Sequence, residues 1–553
     1  MRDAPEHDVV ILGSGLAGGV IAACLARAGL DVLVVDAGRH PRFAVGESTI
    51  PYTSLMTSLI SERYSVPEIG YLSSFATVRD HVSSNCGIKR NFGFVFHRPG
   101  QAHDPAQSNQ FPIFPSSRAE SHFFRADVDH WLIKVAQRYG AQLREDTRVN
   151  DVHVDEDAVT LSLPDGGTLT GKFLIDASGY RSPLAERFGL REVPTRLRTH
   201  SRTLFSHMNG VLPFEQTIRN VHGNPSPWSQ GTLHHIFPGG WMWVIPFDNH
   251  RGATNSLCSV GISLDPRIHP KPDVDPAVEF EQFLADFPDI SPQFANARAV
   301  RPWVSTERLQ YSSSSTVGYR WCLTAHAAGF IDALFSRGMQ NTMAVVHSLV
   351  WRVIDAVREN DFSPARFEYV QELEQGLLDA NDSLVANAYT SFQDWDLWNA
   401  WFRVWETAQI LSTAVLSRAY SAFTVGRDPA ALSELARLEP GGAIPDYPPV
   451  REMLSKANLL VADVQECKRT PDEASEGIFE MLKEANFIPP LVGLAERSNR
   501  WYTVTPAKVA RTAVWAHWQA PPEIRQFFGD GIGWRFAKEY GRSLRVRRRA
   551  ESS

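Results

Sequence analysis

The chain is poor in cysteine: five in 553 residues (Cys24, Cys86, Cys258, Cys322, Cys467), widely scattered, with no CxxC pair and no metal-ligand spacing. This excludes a disulfide framework, offers no zinc site, and fits a reducing cytoplasm. Positive charge is not in excess either. Lys and Arg number 55 against 62 Asp and Glu, a formal net charge of -7, which leaves no electrostatic footprint for nucleic acid. No apolar run approaches the roughly 20 residues that span a bilayer. The opening MRDAPEHD is acidic and polar where a signal peptide would be basic and then apolar, so a soluble, cytoplasmic chain is expected. The closing RSLRVRRR is the one basic run, read as a solvated terminus in preference to a functional tail.

What is there is apolar surface enough for a large core, 43% of a chain long enough for two or three domains. Residues 8–36, DVVILGSGLAGGVIAACLARAGLDVLVVD, read as strand, glycine turn, Ala/Leu-rich helix and second strand ending in an acid. That is a βαβ unit. Gly13, Gly15 and Gly18 fit GxGxxG, and Asp36 stands where an acid accepts hydrogen bonds from a ribose. The turn and the helix N-terminus offer amides and a positive dipole end to a pyrophosphate.

From 190 to 310, short alternating stretches such as GTLHHIFPGGWMWVIPF predict a mixed or antiparallel sheet, the substrate layer, over the dinucleotide domain. From about 345 the pattern turns helical, with LEPGGAIPDYPPV (438–450) as a loop between helical groups. The fold class expected is α/β: a Rossmann-like domain with a substrate sheet in a core of residues 1–390, then a helical C-terminal domain, 391–553, capping the pocket. Trp241 and Trp243 lie two apart in one strand, so both rings project from one face, and Pro246 ends or edges it. His234 and His235, adjacent in a strand, point to opposite faces and cannot readily chelate one ion; structural or surface roles are expected, and no metal.

The stretches HFFRADVDHWL (122–132) and KFLIDASGYRSPLAERFG (172–189) resemble those that FAD-dependent hydroxylase-type proteins place against the nucleotide, which favours FAD over NAD. WMWVIP (241–246) reproduces WxWxIP. Together with VGESTIP (45–51) and GFIDALFSRG (329–338) it makes the chain resemble the flavin-dependent halogenases over nearly its whole length. The free-standing, tetracycline-type branch is nearest, through HPRFAVGESTI, NFGFVFHR, HHIF, QYSSS and AAGFID.

The resemblance implies an FADH2-dependent enzyme that chlorinates an electron-rich aromatic, phenolic and polyketide-like, in specialised metabolism. In that family a flavin hydroperoxide meets chloride and gives hypochlorous acid. It implies FAD contacts from Arg42, Glu47, Ser48, Arg125, Asp176, Gly179 and Asp332 beside the glycine loop, with Asp332 either a hydrogen-bonding contact or a covalent attachment point. Trp241, Trp243, Ile245 and Pro246 would form the wall that keeps substrate off the flavin. Chloride would sit on the amides of Ser336, Arg337, Gly338 and Met339. Lys89, in CGIKRNFGFVFH (86–97), falls where tetracycline-type members have a lysine, and would guide hypochlorous acid or carry its chlorine. Burial beside Phe92, Phe94 and Phe96 would lower its pKa; Arg90 reads as a solvent or phosphate contact.

Three residues depart from the family pattern. Ala333 replaces a proline, His326 an acid near the ribityl chain, and Phe335 the glutamate that tryptophan halogenases place beside their lysine, which argues against an indole substrate. Tryptophan halogenases also carry that lysine where this chain has Gly93. One dinucleotide fingerprint leaves no evident NAD(P)H site, so a separate flavin reductase is the expected partner. An aromatic hydroxylase, which would lack a reason for WxWxIP, and a non-catalytic flavin-binding protein are the alternatives.

Overall fold

The computed structural model describes residues 5–113, 119–218, 222–437, 444 and 447–528. The C-terminal basic run and most of the expected loop at 438–450 lie outside these residues, and the loop's last three residues begin helix Pro448–Gln465. Strand His7–Leu12 pairs in parallel with Val32–Val35 on one side and with Thr168–Asp176 on the other. Gln142–Arg144 and Trp321–Leu323 extend this parallel sheet outward. The helix between the first two strands, Leu16–Arg27, is buried from Leu16 to Ala26, because helices Arg125–Arg138 and Arg337–Glu359 pack against it. An element covered all round must be apolar all round, and its Gly, Ala and Val residues permit that close approach.

The second sheet runs Arg298–Ala299, Arg202–Asn209, Cys258–Leu264, Gly240–Pro246, Thr232–Phe237, Asn91–Phe96, Ser108–Pro112 in spatial order. Neighbours are antiparallel except Thr232–Phe237 beside Asn91–Phe96. The span expected for this sheet, 190–310, is therefore too narrow. NFGFVF has the same alternation and joins it from far upstream, bringing the lysine segment with it. Gly87–Lys89 and Glu120–His122 form a separate two-stranded ladder.

Alternation sorts the second sheet into two faces. Phe92, Phe94, Phe96, Ile236, Trp241, Trp243 and Ile245 belong to the main core, whereas Val95, Leu233, Met242 and Val244 belong to a smaller core on the far side. That main core continues without a break into the C-terminal helices, from Val9 to Phe528. The expected boundary near 390 coincides with the end of helix Glu368–Ser391. Asp394 then caps helix Trp395–Gly426 through a hydrogen bond from the Leu397 amide. It divides two helices, not two cores: Trp398, Phe402 and Trp405 press onto Phe92, Phe94 and Phe335.

Gly261 lies opposite Trp243 in the ladder. A Cβ there would stand 2.1 Å from the indole, so only glycine leaves the ring its place. Gly261→Ala is expected to destabilise the protein by about 1–3 kcal/mol through overpacking and to lower the thermal midpoint; an unchanged midpoint would mean that Trp243 has room to shift.

Candidate active site

The C-terminal ends of the parallel strands open onto a groove, as in doubly wound folds. One part, about 830 Å³, is lined by Gly13, Asp36, Arg42 and Ser178. The next, about 390 Å³, is lined by Gly15, Arg42, Glu47, Ser48, Arg125, Ser178, Gly179, Trp241, Trp243, Ile245, Asp332, Ser336, Gly338 and Met339. Arg42 and Ser178 belong to both, so the groove continues past the glycine turn. Gly13 has φ +93°, and a Cβ on Gly18 would lie 1.9 Å from the Gly13 carbonyl oxygen. The turn admits no side chain there; the Gly13 and Ser14 amides bond Val35 O and Asp36, and Gly15 and Leu16 bring the next amides to the groove for phosphate oxygens.

Asp36 accepts hydrogen bonds from the Ser14 amide (2.7 Å), the Ser14 hydroxyl (2.6 Å) and Arg42 (2.6 Å) on one oxygen, and from Gly38 N (2.8 Å) on the other. These partners hold its carboxyl below the usual range although burial opposes them. Arg42 Nε is buried without a partner, an orphaned donor at the junction of the two parts, where a pyrophosphate would satisfy it. Arg125 is clamped by Asp129 (2.8 Å at each contact) and donates to Val45 O (2.8 Å). Glu47 faces His207 at 3.2 Å. Asp176 differs from the expectation. It is fully buried, does not line the groove, and spends both oxygens on Ser178, Ser182 and Leu184 N. It braces the turn that presents Gly179 (φ +88°).

The loop before helix Arg337–Glu359 holds two consecutive non-glycine residues in the left-handed region, Phe335 (φ +69°) and Ser336 (φ +55°). Such strain persists only when the surroundings enforce it. Asp332 does so, accepting from Leu334 N (2.9 Å), Ser201, Ser263 and Tyr389 (3.1 Å each). Four donors make it a hydrogen-bonding brace. The Ser336 side chain does not cap the helix, so the first-turn amides remain available to an anion. Ser336, Gly338 and Met339 face the groove; the Arg337 side chain, expected with them, turns to the opposite side of the helix and lines a different cavity. Ala333 and His326 also line the groove.

Trp241 and Trp243 stand 5.4 Å apart on one face, and Pro246 closes the strand. His234, between Phe94 (4.4 Å) and Trp241 (5.5 Å), extends the wall. His235 points the other way, to His97 (2.9 Å) and Gln293 (2.9 Å). Both are buried, so the surface reading of this pair does not hold. Beyond the wall, Lys89 is fully buried. Its Nζ donates to Ser48 Oγ and to Thr49 O, each at 2.8 Å, and sits 4.5 Å from the centre of the Phe92 ring. A Cβ at Gly93 would meet Trp228 at 2.5 Å on the far face, so a lysine there could not reach this site. Arg90 is exposed.

The family model for tryptophan halogenases matches residues 8–67 and 118–401. The chain belongs to the tryptophan halogenase family. It is 44% identical over 539 residues to monodechloroaminopyrrolnitrin halogenase PrnC of Pseudomonas fluorescens, across 95% of this chain and 94% of the relative. It is likewise 44% identical over 549 residues to tetracycline 7-halogenase of Kitasatospora aureofaciens, across 98% and 97%. A crystal structure of halogenase PltM in complex with phloroglucinol and FAD superposes with a TM-score of 0.86 at 33% identity, over 90% of this chain and 99% of that one. This halogenase is thus a flavin-dependent enzyme of aromatic halogenation that uses FAD and chloride. The hydroxylase and non-catalytic alternatives fall with that match. Enzymes of this family generally need a separate flavin reductase and an aromatic substrate. Among the described residues of the halogenase no helix is long and apolar enough to cross a membrane, and no cluster could hold a metal.

Two acids beside Lys89 were not legible in the sequence. Glu120 is its cross-strand partner, held by Thr49 Oγ1 (2.8 Å) and Ser54 Oγ (2.5 Å). Glu406 approaches from helix Trp395–Gly426 and is buried there. Only a pairing of remote elements brings either to the lysine. Burial pulls the Lys89 ammonium down to about 7, against the pull of Glu120 and Glu406. Burial pushes the Glu406 carboxyl up to about 8, against the pull of Lys89.

The lysine carries a pH signature. The folded halogenase releases the Lys89 proton near 7, the unfolded chain near 10.5. Between those values the unfolded state binds more protons, so this group makes stability rise with pH. In Lys89→Met that slope is absent. The variant-minus-wild-type difference in thermal midpoint is expected to be most positive at and below pH 7 and to decline towards 10.5. Thermal unfolding over the window checks this, and a pH-independent difference would mean an unshifted lysine.

Proposed function

We propose that this halogenase chlorinates the ring of a phenolic, polyketide-like substrate in the cytoplasm, fed with reduced FAD by a separate NAD(P)H-dependent reductase. The observation that carries the substrate class is the setting of Lys89: a buried amine and a carboxyl, Glu406, at the edge of an aromatic box. Phe92, Phe94, Phe335, Trp398, Phe402 and Trp405 form that box, packed ring against ring within the main core. Trp398 Nε1, Trp405 Nε1 and Tyr502 Oη are buried there without hydrogen-bond partners. Orphaned donors around flat apolar walls suit a planar ring that carries oxygen acceptors. The names of the relatives support the class, since they include a tetracycline halogenase and an enzyme crystallised with phloroglucinol.

Arg42, Arg125 and the Gly13–Gly18 turn would hold FAD, with Trp241, Trp243, Ile245 and Pro246 between it and the substrate. Chloride would rest on the amides of the first turn of helix Arg337–Glu359, facing the groove with Ser336, Gly338 and Met339. Bound FAD, once reduced, supplies hypochlorous acid from oxygen and chloride. Lys89 Nζ–H then donates to the oxygen of HOCl and polarises the O–Cl bond. The ring carbon takes chlorine, the oxygen leaves as water with a proton from Lys89, and the ring proton passes to a base. Glu406 fits that base, or an acceptor for the phenol proton that enriches the ring. The carboxyl missing at Phe335 is thereby provided from another helix, so Phe335 no longer argues by itself against other rings.

The test supplies FAD, a flavin reductase, NADH, chloride and oxygen to wild type, Lys89→Ala and Glu406→Gln, with phenols read by mass spectrometry and free hypochlorous acid trapped by monochlorodimedone. Lys89→Ala is expected to lose about 10²–10⁴-fold of phenol chlorination while flavin oxidation and trapped oxidant persist. Equal chlorination by both proteins would remove Lys89 from the mechanism. For Glu406→Gln a loss of about 10²-fold is expected, with the acid limb of the pH–rate profile displaced; a rate and profile like wild type would leave Glu406 a packing residue.

A further inference from the structure

Behind the halide loop lies a second cavity of about 520 Å³, on the face of helix Arg337–Glu359 turned away from the flavin groove. Arg337, Gln340, Ala344, Ser348, Trp351 and Asp355 line it from that helix, spaced three or four residues apart, as one helical face requires. Helix Pro51–Tyr64 adds Tyr52 and Arg63, and Glu368–Ser391 adds Tyr369.

Its charge is unbalanced. Three guanidinium groups, Arg63, Arg337 and Arg352, face one carboxylate, Asp355. Arg63 is turned to His347 Nε2 (2.8 Å), and Arg352 lies over Trp351 (4.1 Å) and bonds Ser348 Oγ (2.8 Å); neither has a carboxylate within ion-pair distance among the described residues. Arg337 is 4% exposed, and its Nε has no hydrogen-bond partner. Burial draws its guanidinium down to about 10, and the one group that opposes this is the Tyr52 hydroxyl. Gln340, 5% exposed, leaves its Oε1 unpartnered beside it. A buried, uncompensated guanidinium is costly, and an arginine fork matches the geometry of an oxyanion. Tyr52, Met56, Leu373 and Leu377 supply apolar walls, and the volume is that of a small-molecule site.

We propose that this cavity is a second binding site, distinct from the flavin and substrate sites, for a small aromatic molecule bearing an oxyanion, carboxylate or phosphate. The oxyanion pairs with Arg337 and Arg63, and the ring lies against Tyr52, Leu373 and Leu377, because the Arg352 guanidinium already fills the space between Trp351 (4.1 Å) and Tyr369 (5.1 Å). The ligand thereby sits one helical turn behind the amides that face the halide.

The experiment uses the FAD-loaded full chain. Crystals are soaked with 4-iodobenzoate, 4-iodophenyl phosphate or neutral 4-iodobenzyl alcohol, the iodine is located by anomalous scattering, and affinities are measured by calorimetry for wild type and Arg63→Gln. Expected is an iodine peak in this cavity for one or both anions, none for the alcohol, and binding weakened about tenfold or more in Arg63→Gln, the loss of one charge-assisted contact. Whichever anion binds identifies the head group. Iodine found only in the flavin groove or the aromatic box, equal binding of the alcohol, no binding of either anion, or unchanged affinity in a normally folded Arg63→Gln would each overturn the proposal. If Arg63→Gln does not fold, the wild-type soaks decide. None of these readouts depends on halogenation, so the outcome is independent of the substrate reading.

Discussion

A lysine ammonium taken out of water sets the terms for the rest of this structure. An isolated buried charge would cost many kcal/mol, and what makes Lys89 tolerable is a set of partners drawn from separate places. The Ser48 hydroxyl and Thr49 carbonyl come from the flavin-binding half, the Phe92 ring from the second sheet, Glu120 from the short ladder and Glu406 from the C-terminal helices. None of these can be withdrawn without leaving the amine exposed to a worse environment. These elements meet around the main core, which runs from strand His7–Leu12 to the last helices. An amine at the edge of ionisation and an aromatic box are two results of one packing arrangement.

A second buried charge does a different task. Asp332 collects a backbone amide from its own loop, the Ser263 hydroxyl from the second sheet, the Ser201 hydroxyl from the residue before strand Arg202–Asn209, and the Tyr389 hydroxyl from the helical region. It thereby holds Phe335 and Ser336 left-handed and leaves the following helix uncapped. Strain at the loop and bare amides at the helix start are linked: a capping side chain would occupy the position that suits a halide. The same turn sends Arg337 to the back of the helix, where its charge meets a separate cavity. One helix end therefore presents backbone to one side and a guanidinium to the other.

Local geometry was legible in the residues. The glycine turn and terminal acid gave the βαβ unit, because the close approach of Gly18 to Gly13 permits no other residue type. Period-two alternation gave the paired tryptophans and the opposed histidines. What escaped was everything that depends on how far a partner travels. NFGFVF entered a sheet expected to begin a hundred residues later, since a strand's alternation says which face it buries and nothing about its neighbour. Asp176 looked like a cofactor ligand, and the structure uses it to brace the turn.

Local spacing alone determined which side chains share a face in this halogenase: Trp241 with Trp243, His234 against His235, Arg337 with Gln340. Those relations follow from the two-residue period of a strand and the 3.6-residue period of a helix. Tertiary structure decided what each face would meet. Glu406 reaches Lys89 because the C-terminal helices fold back over the second sheet, and Arg337 faces away from the groove because two left-handed residues set the helix start. Both outcomes rest on long-range burial, for which no sequence interval carries a signal.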